Sequence, residues 1–326
     1  MRPTRRGYGA LAVVVVAVLL AVQAGARSLN AVAAPALLAL GYGWLTLRRR
    51  DEPTVTRRTP APGFPGETRD IRLRVDAGGR AETTDAVGDG LDHVATTDEG
   101  YRVELLSRGA HPLGPATVRE TDPFGLLVRE RTVGGETEAL VYPVVEPITP
   151  NRAFRGLVDR AGSSDREAFD SLREYVPGDP LRDVHWKSSA KREPGDLVVA
   201  QYAVRDEGGV TVAASAAPGH ADAMASAAAS VVVHLLDAGL AVGLAAPNGY
   251  LRQRRGEDHR DDTLDLLART PAGDADDPDA DVFVRADDDG VTVRTEGRMF
   301  PFRELLGDAE PTVDPRDGER EVSTPT

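Results

Sequence analysis

The sequence predicts a two-helix transmembrane anchor, then a small β-sandwich, then an α/β domain. Three observations carry that expectation. Two uncharged apolar runs stand near the start, five short alternating segments follow between residues 69 and 147, and strands alternate with helices beyond residue 151. Each pattern has one natural burial solution: a spanning helix, a two-layered sheet and a mixed layer respectively.

The anchor comes first. Gly7–Gln23 and Leu29–Leu47 contain no charge and are 17 and 19 residues long. That is the low end of what crosses a hydrocarbon core of ~30 Å. Only Ala24–Ser28 lies between them, so residues 1–50 are expected to form a tight hairpin, with Pro35 inside the second span. Tyr8, Tyr42 and Trp44 stand near the span ends, where interfacial aromatics belong. Arg2, Arg5 and Arg6 precede the first span and Arg48, Arg49, Arg50, Arg57 and Arg58 follow the second, against Arg27 alone between them. The positive-inside rule therefore places both termini and the soluble bulk in the cytoplasm, as a multi-pass protein of the cell membrane. An alternative is a cleaved signal peptide ending at Ala24-Gly25-Ala26, after which the second span would still insert.

Composition narrows the function classes. There are no cysteines, so disulfides, thiolate zinc sites and thiol nucleophiles are excluded. The net charge is −13, and residues 1–58 hold nine arginines against Asp51 and Glu52, which leaves 30 basic and 50 acidic residues beyond them. A soluble part this acidic repels nucleic acid, which is not an expected partner. Only Lys187 and Lys191 are lysines, among 37 arginines. An acidic, lysine-poor, Ala/Val/Asp-rich composition resembles that of proteins adapted to molar salt, where a Debye length of ~3 Å screens surface self-repulsion.

Residues 51–68 are Pro-rich and read as a linker. Residues 69–150 form the sandwich, with strands expected at Ile71–Val75, Tyr101–Leu105, Ala116–Glu120, Leu126–Glu130 and Ala139–Tyr142. Residues 151–307 hold the α/β domain. It opens on a polar connection, Asn151–Ser164, and continues with strands at Leu197–Val204, Val210–Ala214, Leu240–Ala246, Val282–Arg285 and Val291–Thr295. Helices are expected at Ala221–Ala238 and Thr263–Ala268. The polar residues 308–326 are expected to be a disordered tail.

The densest chemistry lies between Phe169 and Tyr202. Val176-Pro-Gly-Asp179 suits a type II turn, Asp179 stands where an N-cap belongs and Pro180 suits the first helical position. The helix should run to about Lys191. Asp183 and Lys187 are four apart with the acid first, and Arg182 and Trp186 share that spacing. The segment contains both lysines and the only tryptophan outside the spans. A capped helix held by ion pairs, a partner-binding surface and an acid/base cluster all fit these residues.

The stretch resembles the signature of the family catalogued as domain of unknown function 58. Leu172, Arg173, Tyr175, Pro177, Gly178, Asp179, Arg182, Val184, His185, Trp186, Ala190 and Lys191 match its pattern. Arg108-Gly109, Leu113-Gly-Pro115, Asp122-Pro-Phe-Gly-Leu126 and Val141-Tyr-Pro143 match further motifs in the same order, so the likeness covers about residues 1–270 and is of haloarchaeal type. The resemblance implies a cytoplasm-facing membrane protein whose α/β domain is similar to von Willebrand factor type A. It implies partnership with a MoxR-type AAA+ ATPase and neighbouring membrane proteins, and no established enzymatic activity. Many relatives carry Asp-x-Ser-x-Ser, a metal-ion-dependent adhesion site, on the strand that here reads Val210–Ala217. Ala213 takes the Asp place, Ser215 remains and Ala217 replaces the second Ser, so the motif is degenerate and no metal or other cofactor is expected. The C-terminal part is also short for a complete domain of that type.

The expected function is thus a membrane-tethered adaptor. Its signature surface comprises Arg173, Tyr175, Pro177, Gly178, Asp179, Arg182, His185, Trp186, Lys187 and Lys191. The alternatives are a hydrolase of envelope precursors using Asp179 and His185, and an architectural envelope protein. No P-loop or GxSxG motif is present, and the six histidines make no helical metal pair. His234, on an apolar helix, is expected to be a core residue.

Overall fold

The computed structural model describes residues 1–24, 30–97, 99–149, 151–167, 172–174, 198–200, 209–275, 277 and 279–306. They fall into two compact units, residues 1–62 with 66–140, and residues 63–65 with 141 onward.

The first unit begins with a short strand, β1 (Arg2–Pro3), followed by helices α1 (Arg5–Ala24) and α2 (Asn30–Arg49). Within them Arg5–Gln23 and Ala31–Arg49 are each long and apolar enough to cross a membrane. The helices pack on each other through small residues, with Val14, Ala17 and Ala33 buried, while Leu11, Val15, Val16, Leu19, Leu37 and Leu38 stay exposed.

Of the next eight strands, four alternate in burial along their length and a fifth over its second half, the two-residue period of a half-buried sheet. The eight are β2 (Thr54–Arg57), β3 (Thr68–Asp76), β4 (Ala81–Val87), β5 (Leu91–Thr97), β6 (Gly100–Leu105), β7 (Gly109–Thr121), β8 (Leu127–Val133) and β9 (Thr137–Val141), β5 being exposed after Leu91. One sheet runs β1-β8-β7-β4 with β9 also on β7, and the other runs β2-β3-β6-β5. Ile71, Tyr101 and Val103 from one sheet and Leu113, Ala116, Val118 and Val128 from the other are buried. The expected linker needs correction. Its middle is β2, which pairs antiparallel with β3 from Thr54↔Asp76 to Arg57↔Leu73, because Arg57 has a buried partner to reach.

That partner is Asp85. The Arg57 guanidinium donates to Asp85 Oδ2 at 2.8 Å and Oδ1 at 2.5 Å, and to the Gly135 carbonyl at 2.8 Å, and both charged side chains are almost fully buried. Tyr101 Oη donates to the same carboxylate at 2.7 Å. Burial, followed by the bond to Asp85, pushes the Tyr101 phenol well above its ordinary value. Gly114, with φ +92°, lies flat against the guanidinium, and a Cβ there would overlap it. The Leu-Gly-Pro motif is therefore the wall of an ion-pair pocket.

The second unit is a mixed sheet with helices. Helix α3 (Arg152–Glu167) replaces the expected polar connection: its polar residues flank an apolar stripe of Phe154, Leu157 and Ala161, all buried. A two-stranded pair follows, β10 (Leu172–Glu174) antiparallel to β11 (Val198–Ala200). Next come β12 (Gly209–Ala216), α4 (Ala221–Asp237), β13 (Ala241–Ala246), β14 (Gly249–Arg254), α5 (Glu257–Ala268), β15 (Val282–Asp287), β16 (Gly290–Thr295) and β17 (Arg298–Pro301). The order β14-β13-β12-β15-β16-β17 puts β12 at the centre, parallel to β13 and β15, and the outer strands are antiparallel. Helix α4 makes the crossover that a parallel β12–β13 pair requires. Its small Ala225, Ala227, Ala228 and Ala229 are fully buried and allow a close approach to the sheet. Helix α5 starts six residues earlier than expected, and β14 and β17 were not expected. His234 is half-buried against Phe154, with ring centroids 5.8 Å apart, rather than enclosed in the core.

Two tests follow. Asp85→Ala strands a buried guanidinium and is expected to cost the sandwich about 3–5 kcal/mol, whereas Tyr101→Phe should cost about 1 kcal/mol, both read by denaturant unfolding. Burial lowers the His234 pKa below its ordinary 6.5, against a smaller opposing pull from Asp237. The folded state thus favours the neutral ring. Its contribution is complete above the unfolded value and lost as pH falls from about 6.5 through the lower folded value. The thermal midpoint should drop over that window, and His234→Gln should flatten the drop.

Candidate functional site

The best-built polar site among the described residues is where the helical hairpin meets the β7–β8 turn. The turn is Asp122-Pro-Phe-Gly-Leu126, one of the motifs that carried the family resemblance. The Asp122 carboxylate is buried and accepts from two backbone amides of its own turn, Phe124 at 2.9 Å and Leu127 at 2.6 Å. The Asp122 amide donates to the Leu127 carbonyl, and the Gly125 amide donates to the Asp122 carbonyl. One side chain thus shapes the loop, as an Asx-type turn does.

Both ends of the hairpin are attached to this turn. The Thr4 amide donates to the Leu126 carbonyl at 2.8 Å, and Thr4 Oγ1 donates to the Gly125 carbonyl at 2.6 Å. Thr4 Oγ1 also accepts from the Gly7 amide at 3.1 Å, the N-cap bond of α1. Upstream, Arg2 and Pro3 extend the sheet by pairing with Val128 and Leu127. On α2, Gly43 faces Asp122: a Cβ there would lie 2.9 Å from Oδ2. A Cβ on Gly7 would overlap the Leu126 carbonyl. Each helix therefore meets the turn through a glycine. The Tyr42 and Phe124 rings meet edge to face, 5.9 Å apart.

Just past α2, Arg50 runs over Gly78 and Gly79 and donates to the Thr121 carbonyl at 3.2 Å. Its guanidinium also lies 4.0 Å from Glu120 Oε1, which makes no hydrogen bond. Glu120 Oε2 accepts from Arg129 Nε at 2.9 Å and Nη2 at 2.6 Å, with both side chains nearly fully buried. Two cations thus flank one buried carboxylate beside the turn.

The expected signature surface is mostly beyond this description. Arg173 is in β10, opposite Val199. Tyr175, Pro177, Gly178, Asp179, Arg182, His185, Trp186, Lys187 and Lys191 lie outside the described residues. The degenerate adhesion motif is on β12 and its exit. Ala213 is buried with Ala245 and Ala280, and Ser215 Oγ accepts the Ala275 amide at 3.0 Å. The Ala217 amide donates to the Ala286 carbonyl. Among the described residues no three His, Asp or Glu side chains gather as a metal site. No protein-family model, curated protein or solved structure matches the chain.

Sequence reasoning missed Thr4, Gly7, Gly43, Arg50, Glu120 and Arg129. A signal existed for the glycines, since glycine inside a helix costs roughly 1 kcal/mol against alanine unless close approach demands it. The molecule carries its own control, because nothing lies within 4 Å of a Cβ on Gly9 or Gly41. Gly7→Ala and Gly43→Ala should each lower the thermal midpoint in detergent and open the β7–β8 turn to protease. Gly9→Ala and Gly41→Ala should do neither.

Proposed function

We propose that the chain is a membrane-tethered, cytoplasm-facing adaptor that presents the signature surface, from Arg173 to Lys191, to a protein partner. The observation that carries the reading is the shared attachment of both hairpin ends to one turn. Thr4 precedes α1 and Arg50 follows α2, yet they bond to carbonyls only a few residues apart, Gly125, Leu126 and Thr121. A hairpin so attached has both ends on one side, with the sandwich. Arg5, Arg6, Arg48 and Arg49 stand at those ends, which supports a cytoplasmic location by the positive-inside rule. The exposed apolar side chains of α1 and α2 form the kind of surface that a bilayer covers.

The family resemblance supplies the partner class, a MoxR-type AAA+ ATPase, and the von Willebrand factor type A-like character of the α/β domain. The mixed sheet with its α4 crossover supports that character only at the level of an α/β layer. The test is affinity purification from native membranes at high salt. An AAA+ ATPase should co-purify with the unaltered chain and be lost with Arg182→Ala plus Trp186→Ala. Absence of any ATPase, with an interactome indifferent to the double substitution, sinks the adaptor reading.

A further inference from the structure

We infer that the β7–β8 turn is itself a membrane-contact site, a wedge that the sandwich inserts into the interfacial layer with Phe124 at its tip. The inference rests on the reading of α1 and α2 as membrane-spanning. It adds a contact from the soluble part that neither apolar run contains.

Three observations support it. The first is exposure: Phe124 is half exposed, although it belongs to a sandwich whose other large apolar side chains are mostly buried. It is contiguous with exposed Tyr42 through the edge-to-face contact, and Tyr8 and Trp44 are exposed as well. The Phe124–Tyr42 pair, with Tyr8 and Trp44 exposed near the same helix ends, has the composition of an aromatic belt at the membrane–water boundary.

The second is level. Asp122 meets α2 at Gly43 and Phe124 meets it at Tyr42. Tyr42 lies six residues before Arg48, which is ~9 Å along a helix. The headgroup layer on each side of a bilayer is only about 5–7 Å thick, the difference between the ~30 Å core and the ~40–45 Å whole, halved. With Arg48 and Arg49 held at the aqueous edge, Phe124 lies at the depth of Tyr42, while Gly125, bonded to Thr4 and beside Arg6, lies level with the arginines, so the turn occupies the interfacial layer with Phe124 on its inner side.

The third is backbone satisfaction. Irregular backbone is expensive near lipid because unpaired amides and carbonyls find no water. Here the Phe124 and Leu127 amides are taken by Asp122, the Gly125 amide by the Asp122 carbonyl, and the Gly125 and Leu126 carbonyls by Thr4. Pro123 has no amide hydrogen to satisfy. Six of the nine backbone amides and carbonyls from Asp122 to Leu126 are thus paired, which leaves the Pro123 and Phe124 carbonyls and the Leu126 amide to the water and headgroups of the interfacial layer.

The occupant we assign is the bilayer interface, because the surface is continuous with the two apolar helices. The chain has no cysteine, so one introduced cysteine labels uniquely. Full-length Phe124→Cys, Leu19→Cys and Val94→Cys would each carry a nitroxide in phosphatidylcholine/phosphatidylglycerol nanodiscs. Collision rates with oxygen and with a water-soluble nickel chelate would then be compared. Leu19 is exposed on α1, and Val94 is exposed at the bulge of β5. The expected result is an oxygen-to-nickel ratio at 124 several-fold above that at 94 and approaching that at 19. A ratio at 124 equal to that at 94, with 19 in lipid, overturns the wedge and leaves the anchor standing. Shielding at 124 from both reagents also overturns it, in favour of a protein contact. An aqueous result at 19 removes the anchor reading and the wedge together.

Discussion

The first unit depends on one carboxylate. Asp122 is buried, and without its two accepted amide bonds the β7–β8 turn would hold unpaired backbone groups where two helices converge. With them the turn becomes a rigid seat. Its outward carbonyls are then fixed where the start of α1 needs acceptors, and Thr4 both caps that helix and ties it to the sheet. The short pairing of Arg2 and Pro3 with β8 follows from the same placement. A long hairpin joined to a soluble domain only through its last residue would be a flexible tether; bonded at both ends, it is a continuation of the sandwich.

Buried charge reinforces the arrangement at a distance. Arg57–Asp85–Tyr101 ties β2 to β4 and β6, and Glu120, between Arg129 and Arg50, lies where the chain leaves α2. Removing a partner from such a cluster leaves an uncompensated buried charge, far costlier than losing a surface pair. The segment from Arg50 to Arg57 is therefore held at both ends, although its composition is that of a loop.

What could be read from the sequence follows from the range of the interactions. The two apolar helices were legible because they depend only on local apolarity, and the α1 and α2 bounds differ by a few residues from the uncharged runs. Strands β3, β6, β7, β8 and β9 were legible for the same reason, whereas β4 and β5, built largely of small and polar residues, were not. Helix α3 was not, because its three-residue apolar stripe is diluted by charge, and β2 was not, because its four residues carry one apolar side chain and both its partner strand β3 and the acid of Arg57 lie well downstream. Arg50 and Arg57 were counted only among the arginines that follow the second apolar run; their neutralising acids lie 70 and 28 residues downstream, beyond any local pattern. The seat for the helices was visible only as a motif, Asp-Pro-Phe-Gly-Leu, whose sequence did not disclose that its aspartate faces a glycine on a helix.

The two glycines have a mechanical consequence. A helix in contact through a single missing side chain has only one permitted angle about its axis. Turning α1 or α2 by one residue, ~100°, replaces the notch with a side chain that collides with the Leu126 carbonyl or with Asp122. Neither helix can spin or slide independently of the other, so torque applied to the sandwich passes to both at once. In the proposed membrane-tethered protein, load on the rest of the first unit would therefore be borne as tilt of the whole hairpin, the motion of a lever and not of a leash.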